Sequence, residues 1–441
     1  MRLFQSTVIT FVSNVVRLFI GMAAGVFIAR ALGPVGRGEY NLALLVGTFL
    51  VFMMDLGFSS AVSYFVSSGK FSSDQMLKNS FWASWILGVA GLLLFLLMEH
   101  VGMAEVLLGK FAMTPSVMTV LIFLPAAFFQ LYFNVLLLGE GRMLVYNLVP
   151  IVAQFAVVTT IGIQYFRSSL TVNWVVFLYL MGNVVSIFVM LLFRRNFFSA
   201  LMTPFFTWKE IKTILKFSVP AHLGAVIQFL NFRLDSFIVN FYLGVGAVGI
   251  YTLSGSFAEL LWMISRPIGT ILMPKVAASG SATTLGDVVF RSSSLAFFAT
   301  LVVSIALAVV APWAIPLVYG AKFQGSVTPL LLLLPGATIF CYTNVQACYL
   351  TGIGKPQINT AVSGISLIAT VGLDLWLIPR IGVNGAAIAS TVSYTLSSVL
   401  TVYQASKLSK VPLYAAFRLP RKEEFRLVLD GLSFLTGLVR R

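Results

Sequence analysis

Six ionisable side chains lie near the middle of long apolar segments of the sequence. They are Arg17, Asp55, Arg233, Asp235, Glu259 and Arg266. A charge at the centre of a bilayer costs about 2.5 to 3.5 kcal/mol on insertion scales, so such residues normally face a partner or a water-filled cavity. Arginine holds phosphate groups through a planar fork of donors. Arg17 and Arg266 are therefore candidates for binding an anionic substrate.

Helical spacing places polar neighbours beside these charges. Three stripes follow: Asn14, Arg17, Gly21 and Gly25; Gln228, Asn231 and Asp235; and Gly255, Glu259, Trp262 and Arg266. Trp262 is a candidate platform for a sugar ring, and Pro267 should bend its helix. We predict substrate binding by Arg17, Arg266, Asn14, Gln228, Asn231 and Trp262. We predict coupling or gating by Asp55, Arg233, Asp235 and Glu259.

Each charge also has a structural interpretation. Arg233 and Asp235 project about 160° apart on one helix, so they could pair with neighbours and fix helix packing. Glu259 and Arg266 could likewise be linked through neighbouring residues. Arg17 has no acidic residue one helical turn away, which favours a role in a cavity.

Three other side chains have ordinary explanations. His222 lies near a helix end, where packing or capping is expected. Cys341 and Cys348 lie seven residues apart in one helix and are expected to be core thiols.

The elements that carry these residues are transmembrane helices. Hydrophobic residues make up 59% of the 441 residues and charged residues 10%, and the apolar runs are continuous and about 20 residues long. We predict an all-α polytopic membrane protein with twelve helices: 6–31, 38–66, 76–98, 115–138, 144–166, 172–193, 213–242, 246–274, 288–311, 325–350, 358–379 and 383–405.

The sequence also repeats itself. LGPVGRGEY at residues 32–40 and LGVGAVGIY at 243–251 share Leu, Gly, Gly and Tyr at an offset of 211. The segments GEGR and GIGK, which begin at Gly139 and Gly352, recur at an offset of 213. At the first offset Arg17 corresponds to Gln228, and Asp55 to Arg266. This pattern predicts a parallel repeat of two six-helix lobes, 1–195 and 213–406, with a cytoplasmic linker at 196–212 and a cytoplasmic amphipathic tail at 407–441.

Positive charges indicate the orientation. Of the 29 Lys and Arg residues, three lie within the membrane (Arg17, Arg233 and Arg266), and six fall on one side (Arg30, Arg37, Lys110, Arg167, Lys322 and Arg380). The other 20 collect on the opposite side, which we predict to be cytoplasmic together with both termini. The net charge of +15 then needs no nucleic-acid partner. Residues 423–441 should form a helix on the inner membrane surface.

Several function classes are excluded by missing motifs. Each Gly-Lys pair is followed by Phe or Pro, so no phosphate-binding loop is present. Two isolated His residues do not support a metal site, and we predict no cofactor. A membrane glycan polymerase or ligase is the enzyme alternative, but it should carry a large polar outer loop. The longest outer segment here is short and mostly apolar, so we predict that the protein is not an enzyme.

Two stretches carry a family resemblance. FIARALGPVGRGEYNLALLVGTFLVFMMDLGFSSAVSYFV at residues 27–66 resembles the polysaccharide transporter branch of the multidrug/oligosaccharidyl-lipid/polysaccharide superfamily. RLDSFIVNFYLGVGAVGIYTLSGSFAELL at 233–261, followed by PIGTILMPKVA, resembles the repeat of the same family. The resemblance spans almost the whole chain.

The resemblance implies a bacterial inner-membrane flippase. Its substrate would be an oligosaccharide linked to polyprenyl phosphate or pyrophosphate, such as an O-antigen or capsule unit, moved to the outer leaflet by alternating access. Membrane lipids and a coupling ion, H⁺ or Na⁺, would be its other partners. An ion-coupled multidrug exporter and a lipid II flippase of the same superfamily remain alternatives. The exporter fits the length of the chain but usually attracts cations with acidic residues.

Overall fold

The computed structural model describes residues 2–192, 207–279, 283, 285–414 and 418. The predicted tail helix at 423–441 and the linker at 196–206 lie outside these residues. Within them the chain is almost entirely helical and contains no strand. The helices are α1 (Arg2–Met54), α2 (Phe58–Ser67), α3 (Ser73–His100), α4 (Met103–Leu108), α5 (Pro115–Ile122), α6 (Leu124–Gly139), α7 (Met143–Phe166), α8 (Val172–Leu192), α9 (Trp208–Leu243), α10 (Val245–Leu260), α11 (Trp262–Ser279), α12 (Gly286–Tyr319), α13 (Val327–Gly352), α14 (Pro356–Ile381) and α15 (Val383–Ser409).

These helices confirm the predicted polytopic all-α fold. In the described part, 8 helices are long and apolar enough to cross a membrane, or up to 11 if three bent pairs each form one span. One of the 8 is the 43-residue segment Val12–Met54 of α1, about twice the length that a span needs. Gly33 interrupts it with non-helical angles (φ 65, ψ −170), and Pro34 follows. Because glycine accepts positive φ and proline begins helices well, α1 contains two spans joined by a kink.

Four predicted spans are interrupted or bent. The second is interrupted after Met54, where Leu56 and Gly57 have positive φ. The fourth bends by 48° between α5 and α6, the seventh bends by 48° within α9 between Val219 and His222, and the eighth bends by 45° between α10 and α11. The expectation that Pro267 bends the eighth helix was wrong about the position, because α11 continues through Pro267 and the bend lies at Leu261.

The described chain forms two compact units. The first contains residues up to Thr252 together with Ile315–Gln324. A core cluster of this unit packs α2, α3 and α6 through Phe58, Met76, Phe128 and Phe133. The second unit contains Leu253–Ala314 and the residues from Gly325 onward. Because α9 groups with the first unit, these units differ from the predicted lobes, whose boundaries stay a prediction.

Small residues set the packing of the second unit. A Cβ on Gly336 of α13 would lie 2.6 Å from the Cα of Thr391 in α15. Hydroxyl groups join the same helices, and the oxygens of Thr343 and Ser398 lie 2.8 Å apart. Within lipid there is no hydrophobic force between helices, so close backbone approach and hydrogen bonds of this kind hold a bundle together.

Candidate substrate and ion sites

The predicted stripe of α1 divides into two parts. Asn14 and Arg17 are exposed, whereas Gly21 and Gly25 line a cavity in the first unit. Gln154 of α7 joins the two parts, because its Nε2 donates to the carbonyl oxygen of Arg17 at 3.1 Å. A Cβ on Gly21 would lie 3.1 Å from the same Nε2. The glycines thus leave room for α7 beside the arginine.

The cavity beside Gly21 has a volume of about 170 Å³. We call it the inner cavity. Its wall combines apolar residues with five side chains that can donate hydrogen bonds: Arg37, Tyr40, Asn41, Gln154 and Tyr179. Tyr179 also interacts electrostatically with Arg17. The inner cavity therefore lies next to the arginine that the sequence singles out.

Arg37 is the charged group of the inner cavity and is only 8% exposed. Its Nη1 donates to the carbonyl oxygen of Gly25 at 3.2 Å, across the kink of α1. Its Cζ lies 5.5 Å from the ring centroid of Tyr319 and 5.9 Å from that of Phe323. In the sequence Arg37 is only one of the six outer charges, and no spacing within one helix marks it as a cavity residue.

The two copies of the repeated motif contact each other. A Cβ on Gly38 would lie 1.9 Å from the carbonyl oxygen of Val245, and one on Gly249 would lie 2.0 Å from that of Pro34. At the offset of 211, Pro34 corresponds to Val245 and Gly38 to Gly249, so the two contacts are equivalent by symmetry. Asn41 and Thr252 are also separated by 211, and Asn41 Nδ2 donates to Thr252 Oγ1 at 2.7 Å. We call this contact the repeat contact.

A second cavity of about 510 Å³ lies beside the kink. Arg30, Lys322, Tyr165 and Tyr319 contribute its polar groups. Arg30 donates from Nε to the carbonyl oxygen of Val318 at 2.8 Å and from Nη2 to that of Leu317 at 2.5 Å. Its guanidinium therefore binds carbonyl groups at the end of α12, where a positive charge is favoured.

Asp55 lies at the break between α1 and α2. It is buried, and its carboxylate accepts hydrogen bonds from the Ser59 amide at 3.2 Å and the Ser59 hydroxyl at 2.8 Å. The ring of His222 lies 5.5 Å from that of Phe52, and His222 also interacts electrostatically with Asp55. An acid and an imidazole thus lie near each other at the break. This arrangement is compatible with the predicted coupling role of Asp55, which stays a prediction.

The polar residues of α9 are largely engaged inside the first unit. Asp235 is buried and accepts hydrogen bonds from the Tyr251 hydroxyl and, at 2.6 Å, from the Ser236 amide. Arg233 interacts electrostatically with the same carboxylate. Asn231 is buried, and Gln228 is partly exposed. This arrangement favours the structural interpretation of Arg233 and Asp235, and their predicted gating role stays untested.

Trp262 and Arg266 lie in the second unit. Trp262 is 2% exposed, and its ring centroid lies 5.2 Å from that of Phe340 and 5.7 Å from that of Tyr394. Its faces are therefore not open to a sugar in this conformation, and its predicted platform role stays a prediction. Arg266 is exposed, and its Cζ lies 5.2 Å from the Trp262 centroid. Glu259 is partly exposed on the neighbouring helix α10.

Known sequences similar to this chain include proteins of polysaccharide biosynthesis and transport. The profile of the family described as "Polysaccharide biosynthesis protein" matches residues 3–278. The chain is 22% identical over 395 residues to a putative O-antigen transporter of Shigella flexneri, covering 87% of this chain and 93% of that protein. It is 26% identical over 185 residues to the probable flippase AglR of Haloferax volcanii. The AglR alignment covers 38% of this chain and 37% of AglR. A membrane protein of Methanocaldococcus jannaschii, MJ1068, is 21% identical, and 41% of its length is covered.

Solved structures share the fold. An inward-facing multidrug resistance MATE family transporter of the MOP superfamily has a TM-score of 0.73 at 16% identity, covering 90% of this chain and 96% of that one. The lipid II flippase MurJ in an inward closed conformation also has a TM-score of 0.73, at 14% identity, covering 99% and 97%. At these identities the likeness establishes the two-lobe transporter fold and leaves the substrate open.

Proposed function

Because the chain belongs to the polysaccharide biosynthesis protein family and has the fold of MOP superfamily transporters, we propose that it is a lipid-linked oligosaccharide flippase. It would move a polyprenyl-phosphate- or polyprenyl-pyrophosphate-linked glycan from the inner to the outer leaflet by alternating access. The protein would act without catalysis, in a bacterial inner membrane and with both termini cytoplasmic. The O-antigen transporter relative supports a surface glycan as the cargo.

The exposure of the charged residues favours an anionic substrate. Arg17 is exposed on a helix that is long and apolar enough to span a membrane, and Arg266 is exposed on a bent helix pair that could form one span together. Among the described residues, ion pairs are seen at other arginines, including Arg142, Arg291 and Arg418. The acids Asp55 and Asp235 are buried and hydrogen-bonded within the protein. Exposed cations and engaged acids favour a phosphate-bearing lipid over the cationic drugs of a multidrug exporter. H⁺ or Na⁺ remains the proposed coupling ion.

Charge reversal at Arg17 tests this proposal. We expect Arg17→Glu to abolish export of the surface glycan, because a carboxylate repels the phosphate that the arginine would hold. Arg17→Lys should retain part of the activity, since the charge survives without the planar fork. Export is measured in cells that contain equal amounts of each membrane-inserted variant.

A matched control separates this effect from charge reversal in general. Lys110→Glu reverses an exposed charge in a short 3₁₀ segment away from the stripe and should leave export unchanged. Arg266→Glu should reduce export, and by less than Arg17→Glu if Trp262 mainly positions this arginine. Full export by the Arg17→Glu variant would assign Arg17 to structure and remove the argument for an anionic substrate.

A further inference from the structure

The charge of Arg37 has no carboxylate beside it in the described chain. Its side chain is more than nine-tenths buried, and its Nε has no hydrogen-bond partner among the described residues. The groups that interact with it electrostatically are the phenols of Tyr40 and Tyr319. A buried charge is costly unless it is paired, and ring faces compensate only part of that cost. Binding of an anion from outside the protein would therefore compensate the buried charge of Arg37.

The inner cavity supplies a place for that partner. Arg37 lines it together with two amide and two phenol side chains, all of which are neutral donors. The Asn41 bond to Thr252 and the Gln154 bond to the Arg17 carbonyl each use one of the two N–H groups of the amide. One N–H group of each amide is thus left over for a ligand.

Charge and size define the ligand. One guanidinium with neutral donors balances a single negative charge, and about 170 Å³ accommodates a small ion with water. Tyr179, one of the lining residues, is 47% exposed, so the cavity lies close to the surface of the described chain. We propose that the inner cavity binds a small monovalent inorganic anion of halide size, held by Arg37 with Asn41 and Gln154. This site is separate from the proposed contact of Arg17 with the glycan lipid.

Thermal unfolding of the purified full-length protein tests the site without any glycan substrate. In detergent with sodium gluconate, added sodium chloride or bromide at constant ionic strength should raise the unfolding temperature along a saturable curve, as for any ligand that binds the folded state. Arg37→Gln should abolish this rise. Arg30→Gln removes an exposed arginine that binds carbonyl groups, and it should keep the rise.

A second variant addresses the case in which Arg37→Gln fails to fold. Asn41→Asp places a carboxylate in the cavity with little change of shape, and the Thr252 hydroxyl can bond to it only by turning away from the Val248 carbonyl oxygen, to which it donates at 2.7 Å. This protein should unfold at the temperature of the halide-saturated wild type and should no longer respond to halide. No saturable halide effect on the wild type, or an undiminished effect in Asn41→Asp, would overturn the proposal. Loss of glycan export in the Arg17 variants would leave it unaffected.

Discussion

Replacing Gly249 with alanine should reduce export of the surface glycan to the level of cells that lack the protein. Its Cβ would lie 2.0 Å from the carbonyl oxygen of Pro34, and the helix backbone cannot yield as a flexible side chain can. The repeat contact would then have to open, which would also break the bond between Asn41 and Thr252. Gly38→Ala should have the same effect, because its Cβ would lie 1.9 Å from the carbonyl oxygen of Val245.

Helix propensity cannot produce this loss, since alanine favours a helix over glycine by about 1 kcal/mol. Gly255→Ala is the matched control: it lies on α10 with Gly249, and its Cβ would meet nothing within 4 Å. It should export normally and be at least as stable as the wild type. Normal export by both Gly38→Ala and Gly249→Ala would show that closing the repeat contact is not required for transport.

Gly57→Ala should lower the unfolding temperature of the purified protein much more than Gly69→Ala does. Both glycines have positive φ, 75° and 68°, so each substitution carries the cost of about 1–2 kcal/mol for a left-handed residue. The Cβ at Gly57 would additionally lie 2.6 Å from the carbonyl oxygen of Ser218, whereas the Cβ at Gly69 would meet nothing within 4 Å. The Ser218 hydroxyl also donates to the Leu56 carbonyl oxygen at 2.8 Å, so displacement of α9 would break this hydrogen bond as well.

The difference between these two variants isolates the contact between the helix break and α9. Unfolding is followed in detergent at one protein concentration, with both variants checked for membrane insertion. Equal unfolding temperatures would mean that α9 moves away from Gly57 at little cost. In that case the break at Asp55 would be held by Ser59 rather than by α9.

Most of the fold could be predicted from the sequence. Long apolar runs between Gly, Pro and charged residues located the spanning helices, because each helix must satisfy its own backbone within lipid. Hydropathy could not show the breaks at Phe123 and Leu261, since apolar residues continue through both of them. Pro267 was a misleading signal, because a membrane helix tolerates proline where neighbouring groups satisfy the freed carbonyl.

The sites were less visible than the fold. Arg17 stood out because it interrupts an apolar run, and its neighbours Gly21 and Gly25 do line a cavity. Arg37 did not stand out, because a charge between two glycines resembles a loop residue. Gln154 and Tyr179 come from α7 and α8, and no spacing within one helix relates them to Arg37. Contacts between residues of distant segments can be identified only in the packed structure.

The hydrogen bond between Asn41 and Thr252 has an implication for the ancestry of the chain. If the repeat descends from a homodimer of single lobes, position 41 lay on the twofold axis and met its own copy. A residue on such an axis must complement itself, and every substitution changes both sides at once. Fusion of the two genes removes that restriction. An amide donor on one side and a hydroxyl acceptor on the other form a pair that is possible only when the two halves have different sequences.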